Sequence, residues 1–564
     1  MAWIGGIFSK VHVSQDELRN KLDVMTETAC PANRPSTAAC PHCVGFIIDD
    51  THSQVLVQLS VPIEGTLPER VYTGYQRKPA LIYDGHLYNL KRMESNLSGV
   101  QHTIDGTAAE SLAQLFAQLP GSLEQKVKRA LPSLDGDYSL AVSDTDRIVI
   151  SRNSSGTKPL YFAENNDFSA FASNKKPLWK TGLDEVKPLR AGRVAVVDHL
   201  GVTVKKALSF HNEENETKDM AQAVAKYEQA LHSAMRKRLA AMRHVRKIGV
   251  LLSGGVDSCL IAKLVHNVAP DLGMEAIAYT AGLPDSPDVN FAREFARELG
   301  IKHEVSILGT DGIEEYIPKV IEAIEDSDFV QVETGIGLYA AIEMASQDGI
   351  RVIFSGQGPD ELWGGYSWYP KVLAKDGRQE LCRRMWDDFS RADIETLDRE
   401  NKVAMAHGVE LFFPYLDSEV VNVAVRVPSE LKVDSQEDRL GKHPHRRLAI
   451  KMGVSEKYAN REKLAIQHGT AIHGVLDDIA RRNGFDLSLV RDIGYRSGKI
   501  NTARLGSSAR YGYRYSEKRL WQVPQHVQLF LHALAYKKGL LDKSVRDRVG
   551  YFLEKAGIPP RTLA

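Results

Sequence analysis

The stretch LLSGGVDS at residues 251–258 decides the fold of the second half of this chain. It ends a short apolar run at residues 247–252, which predicts a buried strand, and it opens a helical pattern that continues to Val268. Its two adjacent glycines let backbone N–H groups approach an anion closely, and its two serines add hydroxyl donors. The helix that follows directs its positive end at the bound charge. The stretch therefore predicts an anion-binding loop between a strand and a helix.

One acidic residue, Asp257, lies inside this loop. Asp257 would repel a phosphate unless a cation lay between them. Because Mg²⁺ is typically held by one or two carboxylates together with substrate phosphates, we interpret Asp257 as a Mg²⁺ ligand. The chain contains no GxxxxGK[ST] pattern, which excludes an ordinary P-loop NTPase. The alternative is a tight turn without a ligand, which the complete SGGVDS string between a strand and a helix disfavours.

Strands and helices alternate downstream of the loop. Apolar runs at residues 275–279, 302–307 and 351–354 predict further strands, and helical patterns separate them. Alternating strands and helices indicate a parallel sheet with helices on both faces, so we predict a doubly wound α/β fold. The chain beyond about residue 414 has mostly helical patterns.

The first part of the chain has a different pattern, with short strands and one clear helix at residues 108–118. This pattern predicts an α+β domain with layered antiparallel sheets. The polar stretch HNEENETKDM at residues 211–220 is typical of an exposed linker. We therefore predict a first domain at residues 1–206, a linker at 207–220 and a second domain at 221–564.

The composition indicates an ordinary globular protein. The chain has 564 residues, too many for one hydrophobic core. Its 72 Lys and Arg residues balance 72 Asp and Glu residues, which excludes a strongly basic nucleic-acid-binding coat. Five cysteines cannot form a disulfide framework over this length, and no apolar run reaches the roughly 20 residues that cross a bilayer. Without an export signal we expect a cytoplasmic protein with no membrane partner.

Several motifs carry a resemblance to a known family. SGGVDS resembles the loop of the ATP pyrophosphatases, which cleave ATP between its α and β phosphates. SGQGPDELWGGY at residues 355–366 resembles SGEGADELFGGY of the class B asparagine synthetases almost position for position. Shorter motifs in both halves of the chain are also similar to that family: AGLPDSPD at 281–288, FPYLD at 413–417, REK at 461–463, LDGDY at 134–138, GTKPLY at 156–161 and FASN at 171–174.

The resemblance implies an Ntn-type glutamine-amidotransferase domain followed by a PP-loop synthetase domain. It implies an amide-forming ligase in which ATP adenylates a carboxylate, pyrophosphate leaves with Mg²⁺, and a nitrogen nucleophile displaces AMP. It assigns ATP binding to the following residues: Leu252, Ser253, Gly254, Gly255, Asp257, Ser258, Ala281, Ser355 and Gly356. It further implies that Asp257 and Asp360 hold Mg²⁺ and that Glu361 contacts substrate. Lys463 would be catalytic, because its charge would stabilise the negative charge that develops in both steps.

The amidotransferase half departs from the family at its functional positions. The family uses a cysteine at position 2 as its nucleophile, whereas this chain has Ala2, whose methyl group cannot attack an amide. The Asn-Gly-Glu segment that grips glutamine is replaced here by Asp84, Gly85 and His86, and an expected acid is replaced by Ala108. We therefore expect an inactive glutaminase site and a structural role for this domain, as in the β-lactam synthetases.

The synthetase half departs from the family at two positions. Gln357 replaces a glutamate near the reacting carboxylate, and a glutamine can orient a group there but cannot act as a general base. Glu333 lies where asparagine synthetases have an arginine thought to hold aspartate. A carboxylate there would repel a dicarboxylate by a few kcal/mol at about 4 Å and an effective dielectric constant near 20. Glu333 therefore argues for a substrate other than aspartate.

Three functions stay open at this point. One is an asparagine synthetase that uses free ammonia, and the second is a specialised amide ligase or cyclase in the manner of the β-lactam synthetases. The third is a catalytically reduced scaffold or regulatory protein, against which the intact SGGVDS loop, Asp360 and Lys463 argue. We expect small-molecule carboxylate and amine or ammonia partners, and the sequence leaves a homodimer open.

Two further features favour structural explanations. Cys40 and Cys43, with Cys30 upstream, lack the second cysteine pair that is typical of zinc sites. The stretch at residues 503–521 interleaves Arg and Tyr as RNA-binding segments do, but the resembling family has a basic, aromatic helix at this position. We therefore expect neither a metal at these cysteines nor a nucleic-acid partner.

Overall fold

A computed structural model describes most of the chain, in two units, Met1–Ser209 and Phe210–Ala564. The described residues are 2–29, 43–47, 54–60, 79–95, 108–210, 217, 219–462, 469–497 and 523–558. The predicted linker at 207–220 falls across the division between the two units, and half of its residues, 211–216 and 218, lie outside the described ones. Among the described residues, no helix is both long enough and apolar enough to span a bilayer.

The described part of the first unit consists of antiparallel strands and short helices. Its strands are β1 (Ala2–Ser9), β2 (Cys43–Ile47), β3 (Gln54–Ser60), β4 (Ala80–Leu87), β5 (Gly136–Ser143), β6 (Ile148–Arg152), β7 (Tyr161–Glu164), β8 (Phe168–Ala172), β9 (Lys187–Pro188), β10 (Arg193–Asp198) and β11 (Gly201–Lys206). Its helices are α1 (Gln15–Ala29), α2 (Leu90–Ser95), α3 (Ala108–Gln118), α4 (Leu123–Ala130) and α5 (Lys176–Lys180).

These strands form two sheets, with the orders β2-β3-β1-β8-β7-β9 and β11-β10-β6-β5-β4. Successive side chains of β4 point to opposite faces, because the side-chain period of a strand is two. Ile82 shares a buried cluster with Ile4 and Phe8 of β1, so the two sheets pack face to face. Leu81 and its neighbours on the opposite face pack against α3 through Phe116. The predicted layered α+β domain is confirmed.

The described part of the second unit is built from parallel strands and many helices. Its strands are β12 (Lys247–Leu251), β13 (Glu275–Gly282), β14 (Lys302–Ile307), β15 (Val352–Phe354) and β16 (Glu410–Phe412). Its helices are α6 (Met220–Ala241), α7 (Val256–Val268), α8 (Pro287–Leu299), α9 (Thr310–Ile324), α10 (Phe329–Gln347), α11 (Pro359–Trp363), α12 (Tyr369–Glu395, interrupted at Gly377), α13 (Leu397–Ala406), α14 (Ser418–Arg426), α15 (His443–Lys451), α16 (Glu456–Ala459), α17 (Val475–Arg482), α18 (Leu487–Ile493), α19 (Gln525–Lys538) and α20 (Lys543–Lys555).

The sheet of the second unit is parallel, with the order β14-β13-β12-β15-β16. The chain order reverses between β12 and β15, which pair through Val250 and Phe354. Right-handed crossovers on the two sides of such a reversal put their helices on opposite faces, so the predicted doubly wound fold is confirmed. The short strand β16 was not predicted, since three buried residues are too few for a periodic pattern.

A buried ion pair joins α6 to the start of α14. Arg238 donates to Asp417 Oδ2 over 2.6 Å, and Lys237 Nζ lies 2.7 Å from the same oxygen. Burial alone would raise the pKa of Asp417, but the two cations outweigh burial and lower it. The other carboxylate oxygen accepts from the Glu419 N–H at the first turn of α14. The Asp of the FPYLD motif therefore stabilises the frame that surrounds the parallel sheet.

Candidate active site

A cavity of about 170 Å³ lies at the carboxyl ends of the parallel strands, at the reversal of strand order. Ligands bind at this position in doubly wound folds, because the loops after the two central strands diverge and leave a crevice. Most of the predicted site residues line this cavity: Leu252, Ser253, Gly255, Asp257, Ser258, Ala281, Ser355, Gly356, Gln357 and Asp360. The two motifs that are about 100 residues apart in the sequence therefore meet here.

The loop after β12 is held by its glycines and serines. Gly254 has a φ of 71°, and a Cβ at this position would overlap Phe291, lying 2.7 Å from its carbonyl carbon. Gly255 has a φ of −83° and the room for a Cβ, since its nearest neighbour would be 3.6 Å away. Ser258 Oγ accepts from the Ser253 N–H over 3.1 Å and lies 3.2 Å from Ser253 Oγ. The turn is thus closed by the same hydroxyl groups that face the cavity.

Two predicted metal ligands share one lysine. Lys442 Nζ donates to both carboxylate oxygens of Asp257, over 2.9 and 2.7 Å, and lies 2.6 Å from Asp360 Oδ1. The Lys442 side chain is buried. Both carboxylates therefore lie close enough to contact a single cation, and two carboxylates beside the predicted anion-binding loop are a donor set that suits Mg²⁺.

Lys442 reaches this position through an unusual backbone. It has a φ of 55°, in the left-handed region that side-chain-bearing residues rarely adopt. A Cβ on Gly365, in the second motif, would overlap the Lys442 side chain, so the glycine makes room for it. Asp438 stabilises the turn before Lys442 by accepting from the N–H groups of Leu440 and Gly441. Burial opposes ionisation of Asp438, but His443 and these N–H groups outweigh burial and lower its pKa.

A buried histidine holds the other side of Asp257. His445 Nε2 lies 3.1 Å from Asp257 Oδ1, and His445 Nδ1 lies 2.8 Å from the Tyr227 hydroxyl. Burial lowers the pKa of His445 and raises that of Tyr227. A neutral imidazole with a protonated tyrosine therefore accepts at Nδ1 from Tyr227, and its Nε2 lies beside Asp257. Tyr415 donates to the Asp257 carbonyl over 2.9 Å, which fixes the backbone as well.

The start of the REK segment is anchored to the loop. Arg461 donates to the Ser253 carbonyl and to Asp288 Oδ1, each over 2.8 Å. A Cβ on Gly469 would overlap the Asp288 carboxylate, which shows how closely the chain returns after this segment. Lys463, predicted to be catalytic, lies outside the described residues. Its role stays a prediction.

The loop after β15 presents Gln357 to the cavity. Ser355, at the start of this loop, donates from its hydroxyl to Glu400 Oε2 over 2.9 Å. Glu400 belongs to α13, is buried, and also lines the cavity. Five acids and three cations thus line the cavity: Asp257, Asp288, Asp360, Glu400 and Glu462, with Lys442, Arg446 and Arg461.

Glu333 forms a hydrogen bond with another side chain of the protein, His473. Its side chain is buried on α10, and Oε1 lies 2.6 Å from His473 Nδ1. Burial raises the pKa of Glu333 although His473 opposes the shift, and the hydrogen bond to Glu333 raises the pKa of His473. Glu333 is absent from the described lining of the cavity, although Gly337, one turn further along α10, contributes to it. Its predicted contact with substrate stays a prediction.

Glu361 faces away from this cavity. It accepts from the Tyr366 hydroxyl over 2.5 Å and lines a different cavity, beside α12. Burial, together with the charge of Asp360, raises the pKa of Glu361 to about 8. The two adjacent acids on α11, Asp360 and Glu361, thus line two separate cavities. The predicted contact of Glu361 with substrate stays a prediction.

In the first unit, Ala2 begins β1 with a buried methyl group, and its N–H donates to Asp84 Oδ1 over 3.0 Å. The residue at the predicted nucleophile position therefore contacts the segment that replaces Asn-Gly-Glu. The described residues do not include Cys30, Cys40 or residues 503–521, and of Cys43 only the backbone is described. Among the described residues, the free cysteines are Cys259, which is buried, and Cys382, which is exposed.

Sequence reasoning missed Lys442, His445, Arg461 and Glu400. A signal existed for Lys442 and His445, because a run of basic residues and histidines at residues 442–447 opens a helix, where cations are unfavourable without an acidic partner. The sequence could not name that partner, which lies 185 residues away.

The antiparallel sandwich and the parallel sheet with its serine- and glycine-lined crevice define a class of protein: an α+β domain followed by a doubly wound α/β domain. The family model described as "Asparagine synthase" matches residues 226–381 and 373–532, and "Glutamine amidotransferase domain" matches 72–180. The chain belongs to the asparagine synthase family.

Named relatives agree with this assignment. The chain is 31% identical over 377 residues to "Putative asparagine synthetase [glutamine-hydrolyzing] 1" of Methanocaldococcus jannaschii, covering 64% of this chain and 66% of the relative. It is 28% identical over 383 residues to "Asparagine synthetase [glutamine-hydrolyzing]" of Gallus gallus, covering 63% and 65%. The chain thus spans about two thirds of the length of these curated relatives. A solved glutamine PRPP amidotransferase from B. subtilis has 14% identity and a TM-score of 0.28, covering 56% and 70%, and this likeness supports no conclusion.

Gly254→Ala should destabilise the second unit, whereas Gly255→Ala should not. The first change adds a Cβ where φ is positive and Phe291 leaves no room, at an expected cost of about 2 kcal/mol or more. The second adds a Cβ in open space, with an effect of about 0.5 kcal/mol or less. Calorimetric melting of both variants tests the difference, and equal losses would contradict this account of the loop.

Glu333→Gln should remove a pH-dependent part of the stability. The folded-state pKa values of both Glu333 and His473 are raised. Their contribution to the free energy of unfolding is therefore full below the ordinary carboxyl pKa of 4.5. It is lost as the pH rises through the raised pKa of His473, above 6.5. Relative to the variant, the wild-type Tm should fall as the pH rises from about 5 to about 8. Exposed Glu315→Gln is the control, and a difference that stays constant with pH would refute the coupling.

Proposed function

We propose that the chain is an ATP-dependent carbon–nitrogen ligase that activates a carboxylate as its acyl-adenylate and transfers the acyl group to ammonia. The observation that carries this proposal is the convergence of Asp257 and Asp360, one from each motif, on Lys442 beside the serine–glycine loop. A loop that only closes a turn has no need of two acids that share a buried lysine. The names of the relatives, which are asparagine synthetases, favour the same chemistry.

The nucleotide is ATP, and the loop after β12 holds its phosphates. Ser253 and Ser258 present hydroxyl groups to the cavity, and the N-terminus of α7 adds its positive end. Leu252, Ala281 and Gly337 supply small or apolar surface for the rest of the nucleotide. Ser355 and Gly356 complete the far wall. A bulky residue at Gly356 would meet the Asp257 backbone, since a Cβ there would lie 3.0 Å from it.

Asp257 and Asp360 would hold Mg²⁺ together with the phosphates. When bound, the ion supplies positive charge that offsets the charge of the phosphates and of the departing pyrophosphate. His445 and Tyr227 keep one oxygen of Asp257 oriented. Lys442, already buried against both acids, supplies a fixed positive charge at the same end of the cavity.

The carboxylate substrate requires activation because a free carboxylate is a poor acyl donor, whereas AMP is a good leaving group. Gln357 lines the cavity with an amide that can orient the reacting carboxylate without exchanging a proton. Lys463, two residues after the anchored Arg461, is the proposed cation for the transition states. In this arrangement the protein contributes chiefly positioning and fixed charge.

The hydrogen bond between Glu333 and His473 changes the balance among the possible acceptors. Glu333 would repel aspartate only as a free carboxylate that faces the substrate. Because Glu333 is buried and bonded to His473, its charge is compensated within the protein. The proposed acceptor is therefore aspartate, and the proposed nitrogen donor is ammonia.

ATP–pyrophosphate exchange, measured with aspartate, glutamate and larger acids, tests the proposal. We expect exchange with aspartate in the absence of ammonia, and asparagine with AMP once ammonia is added. Asp257→Ala should abolish exchange, whereas Asp311→Ala, at a side chain that is 96% exposed, should leave it unchanged. Exchange with a larger acid alone would indicate a specialised ligase. Release of ADP and orthophosphate in place of AMP and pyrophosphate would refute the mechanism.

We also propose that the first unit does not hydrolyse glutamine. Ala2 has no nucleophilic atom, and Asp84, which accepts its N–H, stands where the resembling family has an asparagine. The domain then has a structural role, and ammonia has to come from solution. The bracketed activity in the names of the relatives, glutamine hydrolysis, is not carried over to this chain.

Supplying glutamine in place of ammonia should therefore give no glutamate and no asparagine. The expected rate with glutamine is that of the enzyme without any nitrogen donor. Ammonia in the same assay is the positive control for the synthetase site. Stoichiometric glutamate and asparagine from glutamine would show that another residue replaces the missing thiol.

A further inference from the structure

A second cavity, of about 490 Å³, lies in the second unit beside α12. Its volume is within the range typical of small-molecule sites, which is about 300–1,000 Å³. It shares no lining residue with the cavity that receives the nucleotide. One wall is α11, where Glu361 follows Asp360, so the two cavities lie on opposite sides of this short helix.

Lys432 lines this cavity with a buried ammonium group. Its side chain is 7% exposed, and Nζ lies 5.6 Å from the centre of the Trp363 ring. The Lys432 backbone N–H donates to the Ser429 carbonyl, but among the described residues its ammonium group has no hydrogen bond and no ion pair. A ring face can contact one side of an ammonium group, which leaves its other N–H donors without an acceptor. Buried charges are normally paired, so this group lacks an anion.

The other cation of the cavity is already engaged. Arg378 donates to the carbonyls of Val433 and Asp434 and forms an ion pair with Glu430 at 3.6 Å. The positive charge available to a ligand therefore comes from Lys432. Burial lowers the pKa of Lys432 to about 8, although Cys382 opposes the shift. At neutral pH most of this group still carries its proton.

The remaining walls favour an apolar ligand body. Trp386 and Phe389 line the cavity with rings whose centroids are 5.6 Å apart, and Met385 and two valines add aliphatic surface. Aromatic surfaces of this kind pack well against flat apolar groups. Glu361 Oε2, which has no hydrogen-bond partner within the described part of the chain, supplies one polar atom for a hydrogen bond with the ligand.

We propose that this cavity binds a small organic acid with an apolar or aromatic body, whose carboxylate pairs with Lys432. The site is distinct from the nucleotide cavity and does not depend on the proposed ligase function. The ligand would be a carboxylate effector. Its site would be separated from the first cavity by α11, which carries Asp360 on one side and Glu361 on the other.

Calorimetric titration with three probes of one shape tests the proposal: phenylacetate, 2-phenylethanol and 2-phenylethylamine. The acid should bind best and the amine worst, because Lys432 would attract the first and repel the last. Lys432→Met should weaken phenylacetate binding about tenfold or more, in line with the loss of one charged hydrogen bond, and should leave the alcohol nearly unchanged. Exposed Lys371→Met on α12 is the matched control. Binding of phenylacetate should persist at saturating ATP.

A second measurement uses the wild-type protein, in case Lys432→Met fails to fold. Acetic anhydride labelling followed by mass spectrometry should show that phenylacetate protects Lys432 and leaves Lys371 unprotected. The proposal is overturned if phenylacetate neither binds at about 10 mM nor protects Lys432. It is also overturned if the three probes bind equally, if the amine binds best, or if ATP displaces the acid.

Discussion

The salt bridge of Lys442 with Asp257 and Asp360 is the interaction on which the site of this protein depends. Two carboxylates within 2.7 Å of one nitrogen would repel each other by about 3 kcal/mol at an effective dielectric constant near 20. The lysine offsets this repulsion and joins three chain segments, so the same residues that stabilise the site are the ones that would bind a divalent ion. Charge balance and metal binding are therefore aspects of one arrangement.

The geometry around this interaction is close to the limit of what the backbone allows. Gly254 and Gly365 have no side chain because Phe291 and Lys442 occupy the space that a Cβ would need. Lys442 itself adopts a left-handed conformation, which costs energy and persists because the surrounding hydrogen bonds fix the turn. Strained positions of this kind are expected where the position of a charge matters more than the stability of a loop.

The departures of this chain from its family divide into two kinds. Ala2 stands where the resembling family has its reactive thiol, and the described contact of Ala2, with Asp84, supplies no thiol. Glu333 adds a charge, and the structure compensates that charge by a partner, His473. A charged substitution that suggests a change of specificity in the sequence can therefore have little electrostatic effect once a partner compensates its charge. The loss of a nucleophilic atom has no such compensation by a neighbouring charge.

The sequence by itself determined the two fold classes, the serine–glycine loop and most of the residues around the cavity at the reversal of strand order, because these depend on local periodicity and on motifs that turn one strand into one helix. Even the meeting of the two motifs follows from alternating strands and helices. The tertiary structure decided the partners: Lys442 for Asp257, His473 for Glu333, and the cavity that contains Lys432. Such pairs join residues that are far apart along the chain, and sheet order and helix packing, which no local pattern encodes, bring them together.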